Sequence, residues 1–238
     1  MEYKIKELIQ EGKTTRTFRL VPLEGKIINF KPGQFVMLTA EIKVEKDNKL
    51  VKRAYSISSS PQETYMDLTI RKVPKGLMSN YVMELKKGDI MNIEGPYGRF
   101  IFEKKMKEIV LIAGGFGVMP FRCMVNYIRD KKLNTKITLI VSERHPNDTV
   151  FREEFEKLKT KSKNFNYFIT YTRVEKNPEY GFVGRLDKKK LSKMIKDFKT
   201  PYYFSCGSLG FIKSVKDILL KQGANKEKIE VEGYWWKF

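Results

Sequence analysis

Cysteine and histidine are nearly absent from this 238-residue chain. Its two cysteines, Cys123 and Cys206, form no CxxC pair, and His145 is the one histidine. That excludes a disulfide framework, a four-cysteine iron–sulfur cluster and a multi-histidine metal site within these residues. No intrinsic metal is expected. Long hydrophobic runs are missing as well: nothing approaches the roughly eighteen apolar residues that span a bilayer. Met1 to Gln10 alternates charged and apolar side chains, which reads as an edge strand and not as a signal peptide. A soluble, cytoplasmic protein with no membrane insertion is expected. Internal repeats and low-complexity segments are also lacking.

Negative charge is scarce. Lys plus Arg number 47 against 28 Asp plus Glu, a net charge of 47 − 28 = +19. Such a surface attracts nucleic acid, anionic lipid or an acidic protein. The basic residues are spread along the whole chain, with only short runs such as Lys188–Lys190. A lysine-rich solvated surface accounts for the charge equally well, and nucleic acid is not the expected partner. Hydrophobic residues make up 41%, enough for packed cores.

The first hundred residues read as short strands: Tyr3–Ile9, Thr17–Val21, Gln34–Ala40, Arg53–Ser58, Asp67–Lys72 and Asp89–Ile93. Turn signals such as Pro22, Pro32-Gly33, Pro61, Gly88 and Gly95-Pro96 separate many of them. One helical stretch, Leu77–Leu85, interrupts. The pattern predicts a closed, antiparallel, six-stranded β-barrel. After Phe102 the rhythm changes. Strands at Glu108–Ala113, Ile137–Ser142, Phe165–Thr172, Tyr202–Cys206 and Lys228–Trp235 alternate with helices at Phe121–Lys131, Phe151–Leu158, Leu191–Phe198 and Phe211–Lys221. Strict alternation implies right-handed crossovers and a five-stranded parallel α/β sheet, with ligands at the carboxyl ends of its strands. The expected domains are 1–103 and 104–238.

Several segments carry possible chemistry. Ala113-Gly114-Gly115-Phe116-Gly117-Val118-Met119-Pro120 joins a strand to a helix. Glycines permit a tight turn and close approach, and the helix start favours a phosphate. Pro120 stands where the third glycine of the usual dinucleotide fingerprint would be. Arg53-Ala54-Tyr55-Ser56 places an arginine fork and a tyrosine ring on one face of a strand, though any surface strand can carry both. Lys75-Gly76-Leu77-Met78-Ser79 starts a helix and is either a second phosphate cradle or a capped end. Gly95-Pro96-Tyr97-Gly98 is by itself a turn. Cys206-Gly207-Ser208 ends a strand, where a buried cysteine is usually inert packing. The tail, Glu232-Gly233-Tyr234-Trp235-Trp236, is either core packing or a ring-stacking lid.

In this order the segments resemble the ferredoxin–NADP reductase superfamily over nearly the whole chain. The resemblance implies a flavoprotein. Arg53, Tyr55 and Ser56 match its RxYS element, with Arg on the FAD pyrophosphate, Tyr against the flavin and Ser at flavin N5. Ile70, Arg71, Lys72 and Val73 match the strand whose backbone flanks the flavin, and Gly76, Leu77, Met78 and Ser79 the second pyrophosphate contact. The loop through Gly114, Gly115, Phe116, Gly117, Val118 and Pro120 resembles the GGTGxxP element that binds the nicotinamide nucleotide. Cys206-Gly207, followed by Ser208, matches the CG pair beside the reacting nicotinamide carbon. Glu232 and Tyr234 resemble the terminal acid and aromatic, with Trp235 and Trp236 placed to share the ring-stacking role. Catalytic duties thus fall to Ser56, Cys206 and Glu232. Phe116 replaces the usual Thr or Ser, Ser208-Leu209 the common Pro-Pro, and four residues follow Tyr234.

The implied reaction is hydride transfer between NADPH or NADH and FAD, followed by single-electron delivery to an acidic carrier such as ferredoxin or flavodoxin. Ser142, Arg144, Arg173 and Arg185 are candidates for the adenosine end. Similar basic positions in NADP-using relatives hold the 2′-phosphate, while Glu143 would repel it. The alternatives are a flavin or ferric reductase and, more remotely, a non-enzymatic polyanion-binding module.

Overall fold

The computed structural model describes residues 1–45, 47–175 and 180–234, with Tyr234 described by its backbone only. The chain divides into two compact units, Met1–Ile101 with Arg122–Asp130, and Phe102–Phe121 with Lys131–Phe238.

The first unit contains β1 (Glu2–Gly12), β2 (Thr15–Pro22), β3 (Phe35–Val44), β4 (Asp47–Ser56), β5 (Met66–Arg71), α1 (Leu77–Glu84) and β6 (Ile90–Tyr97). These six strands form an antiparallel sheet in the order β4-β3-β6-β1-β2-β5. Alternation drives the pairing: Tyr3 and Ile5 of β1 are buried while Lys4 and Lys6 face solvent. The two end strands meet through a bridge from Ile57 to Leu68, reinforced by the Ser58 N–H donating to the Asp67 carbonyl at 2.9 Å. That closure explains β5, where Met66 to Ile70 are all buried although the strand ends the sheet order. The core gathers Tyr3, Ile5, Phe18, Leu20, Val36, Leu38, Ile57 and Leu68, with Cys123 among them.

The β3–β4 hairpin runs from Phe35 to Ser56, well past the predicted Gln34–Ala40 and Arg53–Ser58. Residues 47–50 are all exposed. A segment that buries neither face leaves no apolar alternation to read.

The second unit contains β7 (Glu108–Gly114), a 3₁₀ turn (Gly115–Val118), β8 (Lys136–Glu143), α3 (Arg152–Lys161), β9 (Phe165–Tyr171), β10 (Phe182–Val183), α4 (Lys188–Met194), β11 (Tyr202–Ser208), α5 (Leu209–Lys221) and β12 (Ile229–Tyr234). Helix α2 (Met119–Asp130) follows the 3₁₀ turn, and its residues from Arg122 onward pack with the first unit. The sheet order is β10-β9-β8-β7-β11-β12, parallel throughout. It has six strands where five were expected. The extra one, β10, is two residues long and pairs Phe182 and Val183 with Thr170 and Tyr171, too short for any periodicity to announce it. Helix α4 begins earlier than Leu191 because the Asp187 side chain accepts from the Lys190 N–H at 2.7 Å and caps it. Sequence order reverses at β7, with β8 on one side and β11 on the other. The carboxyl ends of β7 and β11 therefore form the switch point where sheets of this kind take ligands. No helix among the described residues is long and apolar enough to cross a membrane.

Candidate functional site

In the first unit, Arg53, Tyr55 and Ser56 lie on β4 across from Leu38, Val36 and Phe35 of β3. Arg53 and Ala54 are exposed, and Tyr55 and Ser56 are half-buried. The Arg53 guanidinium donates to the Lys52 carbonyl at 2.9 Å. Burial pushes the Tyr55 phenol up to about 12, against a smaller opposing pull from Arg53, so it stays a neutral ring. Ile70 is buried at the end of β5, with Arg71 and Val73 half-buried and Lys72 exposed.

The start of α1 is held open. Val73 N–H donates to Ser79 Oγ at 3.1 Å, Ser79 Oγ donates to the Gly76 carbonyl at 3.1 Å, and Asn80 Nδ2 donates to the carbonyls of Val73 and Gly76 at 3.1 and 2.7 Å. A Cβ on Gly76 would meet Ser79 Oγ at 2.6 Å, so a larger residue would displace the arrangement. No side chain caps the helix and its first turn carries no acid. The first-turn N–H groups, around exposed Leu77 and buried Met78 and Ser79, thus have no side-chain cap. Helix α1 packs against β3 and β4, which brings this start into the same region as Arg53 to Ser56. An uncapped helix start, an arginine and a neutral aromatic ring fit a flavin nucleotide: two cationic or N–H groups for a pyrophosphate, one flat surface for a ring.

In the second unit, the 3₁₀ turn lies on the end of β11. A Cβ on Gly117 would sit 2.0 Å from the Cys206 carbonyl oxygen and 3.1 Å from the Gly207 nitrogen. Gly114, Gly115 and Phe116 are half-buried, while Gly117, Val118 and Pro120 are buried. Pro120 is the second residue of α2. Cys206 and Gly207 are buried, and Ser208, at the N-cap of α5, makes no capping bond with its side chain. Cys206 stands beside Glu232 in the β11–β12 register. Burial, helped by Glu232, drives the Cys206 thiol up, so sulfur is protonated near neutrality. Burial also lifts the Glu232 carboxyl to about 7. The pair can hold or release a proton near neutral pH but offers no thiolate.

Ser142 is buried near the end of β8, and Arg144, Arg173 and Arg185 are exposed. The Arg173 N–H donates to the Arg144 carbonyl at 3.0 Å, so these two arginines leave the sheet side by side. Gly184, next to Arg185, donates its N–H to the Tyr171 carbonyl at 2.8 Å. The structure thus brings the three arginines to neighbouring strand ends. It buries Glu143, whose carboxylate accepts from the Arg144 N–H at 3.3 Å. Tyr234 ends β12 by its backbone, and Trp235 and Trp236 lie outside the described residues. Sequence reasoning missed Phe211 of α5. Its ring lies 2.8 Å from where a Cβ would stand on either Gly114 or Gly207. The glycines themselves were the available signal, since each marks a place where something comes too close for a side chain.

Residues 2–102 match the family described as "Oxidoreductase FAD-binding domain", and residues 111–217 the family described as "Oxidoreductase NAD-binding domain". The chain is 31% identical over 233 residues to the glycine betaine monooxygenase reductase subunit of Chromohalobacter salexigens, covering 96% of this chain and 62% of that protein. It is 29% identical over 243 residues to NADH-cytochrome b5 reductase 1 of Aspergillus clavatus, covering 95% of this chain and 76% of that protein. In fold it is similar to the FAD/NAD-binding domain of nitric oxide dioxygenase from Vibrio cholerae, with a TM-score of 0.88, 21% identity and 98% of each chain covered. It is also similar to a ferredoxin NADP+ reductase from Neisseria gonorrhoeae solved with FAD and NADP, with a TM-score of 0.82, 22% identity, and 99% and 98% of the two chains covered.

Proposed function

We propose a function from one premise: this chain belongs to the ferredoxin–NADP reductase superfamily, with an FAD-binding domain followed by an NAD-binding domain. The proposed activity is oxidation of NADPH or NADH with delivery of electrons to a separate acceptor. Bound FAD would supply the step from a two-electron hydride donor to a one-electron acceptor.

The chain's own residues do the rest. We assign residues 1–103 to the flavin and 104–238 to the nicotinamide nucleotide. Arg53 and the N–H groups at the start of α1 neutralise the pyrophosphate. Tyr55 presents a neutral ring face to the flavin, and Ser56 is assigned the contact at flavin N5. Ile70 to Val73 supply backbone alongside. The turn through Gly114 to Pro120 takes the nucleotide's phosphates, and Cys206, Gly207 and Ser208 its nicotinamide end. Glu232 holds a proton near neutrality. Tyr234, with Trp235 and Trp236, is assigned the ring-covering role.

One observation carries this reading. The same chain offers two unlike nucleotide-holding starts, an uncapped helix beside an arginine and an aromatic ring, and a glycine turn at the switch point of a parallel sheet. A polyanion-binding module needs neither. Arg144 and Arg173, side by side, favour NADPH. An acidic protein carrier such as ferredoxin or flavodoxin suits the net charge of +19. Relatives named as a monooxygenase reductase subunit and a cytochrome b5 reductase support a protein acceptor over free flavin or ferric chelates.

The test is to purify the protein, record its visible spectrum, and measure NADPH and NADH oxidation with ferredoxin, flavodoxin, free flavin and a ferric chelate. A yellow protein fastest with a carrier protein is the expected result. Failure to retain or take up FAD would overturn the reading.

A further inference from the structure

Phe211 lies in the first turn of α5, half-buried against a core that includes Val110, Ile112, Tyr203 and Val215. A Cβ on Gly114 would stand 2.8 Å from both Cγ and Cδ1 of its ring, and a Cβ on Gly207 would stand 2.8 Å from Cδ1. The two glycines also crowd each other, since that Cβ on Gly207 would be 3.2 Å from Gly114 Cα. One ring therefore rests on the last residue of β7 and on the residue after Cys206 in β11, and neither position has room for a side chain while the ring is there.

We propose that Phe211 is a positioning residue. Its ring sets the separation between the glycine turn after β7 and the Cys206-Gly207 end of β11, the two edges assigned to the nicotinamide nucleotide. This rests on the proposed nucleotide-binding role of those edges. A phenyl ring suits the task because it is rigid, with two side-chain torsions, and fills its space fully. A smaller side chain would leave a gap into which the two strand ends could relax. The glycines at 114 and 207 are thereby accounted for by the ring, without invoking close approach of a phosphate to those two residues.

A mutant cycle decides between the explanations. NADP+ and NAD+ affinities would be measured by calorimetry on the FAD-loaded protein, for wild type, Gly114→Ala, Phe211→Leu and the double variant. Thermal unfolding and the KM for NADPH would be followed in parallel. The expected result is a loss of about tenfold or more for Gly114→Ala and a few-fold for Phe211→Leu, with the double variant recovering to near Phe211→Leu alone. Such non-additivity is the mark of two groups competing for one space. Phe211→Tyr, which keeps the ring, should restore the KM. Additive losses would overturn the proposal and leave Gly114 reserved for the ligand. So would a Phe211→Leu protein that melts earlier yet binds nucleotide with unchanged affinity. A wild-type protein that binds neither nucleotide would overturn the functional reading itself, and this inference with it.

Discussion

The carbonyl oxygen of Cys206 occupies the space that a side chain on Gly117 would need: a Cβ there would lie 2.0 Å away. The contact seats the glycine turn on the end of β11 and involves backbone, which cannot swing aside as a flexible side chain can. Gly117→Ala is therefore expected to push the turn off β11. Overpacking of this kind costs about 1–3 kcal/mol. Urea denaturation checks the stability loss, and NADP+ calorimetry should show weakened binding. An alanine variant with wild-type stability and affinity would show that the turn has room to shift.

Arg53 is exposed on β4 and available to a pyrophosphate. Hydrogen bonds to charged groups contribute about 1.5–3 kcal/mol net, so Arg53→Ala should weaken FAD affinity at least about tenfold. Flavin content after prolonged dialysis measures this. Full occupancy in the variant would remove Arg53 from the flavin site.

Arg144 and Arg173 leave adjacent strands together, and the Glu143 carboxylate is held on the Arg144 N–H at 3.3 Å. Arg144→Ala should raise the KM for NADPH by about tenfold, the scale of one lost charge-assisted bond, and leave the KM for NADH nearly unchanged. Equal changes with both coenzymes would end the idea that this arginine discriminates between them.

Glu232 gives a pH signature. Its carboxyl is pushed up to about 7 from an ordinary value of 4.5, by burial. Between those values the folded chain holds a proton that the unfolded chain has released. Stability must therefore fall as pH rises from about 4.5 to about 7, and this contribution is level on either side. Glu232→Gln removes the ionisation, so its unfolding midpoint should decline less than that of wild type over the same window. Parallel pH dependences for the two proteins would mean that burial does not raise the Glu232 carboxyl in the folded chain.

Asp67 is a buried charge of the first unit, with 1% of its side chain exposed. Arg19 holds it through Nε at 3.0 Å and Nη2 at 3.2 Å, and Arg122 reaches it through Nη1 at 3.3 Å. Both arginines are partly exposed and Arg19 keeps Glu7 at 2.9 Å, so the loss is that of charge-assisted hydrogen bonds, about 1.5–3 kcal/mol. Asp67→Ala should lose about that much by urea denaturation. A change under 1 kcal/mol would indicate that both arginines reach water on losing their carboxylate.

Much of the fold was legible because local burial leaves a periodic trace. Alternation in Tyr3 and Ile5, helical spacing in Phe211, Val215 and Leu219, and Gly- and Pro-marked boundaries define most strands and helices and their order. The ordered motifs at Arg53, Gly76, Gly114 and Cys206 were likewise visible, since each needs a particular residue type at a particular place. Where neither face of a segment is buried, as in residues 47–50 of the β3–β4 hairpin, no such trace exists. A two-residue strand like β10 is too brief to leave one.

The sequence by itself determined the alternation of strand and helix, the switch from an antiparallel to a parallel region, and the identity of the chemically capable side chains. These depend on neighbours a few residues apart. Tertiary structure alone decided what depends on distant partners. It closed the barrel at Ile57 and Leu68, buried Asp67 between Arg19 and Arg122, and set Cys206 beside Glu232 so that desolvation keeps the thiol protonated and the carboxyl near neutrality. It also laid Phe211 on Gly114, 97 residues away along the chain (211 − 114), a relation that no local pattern encodes.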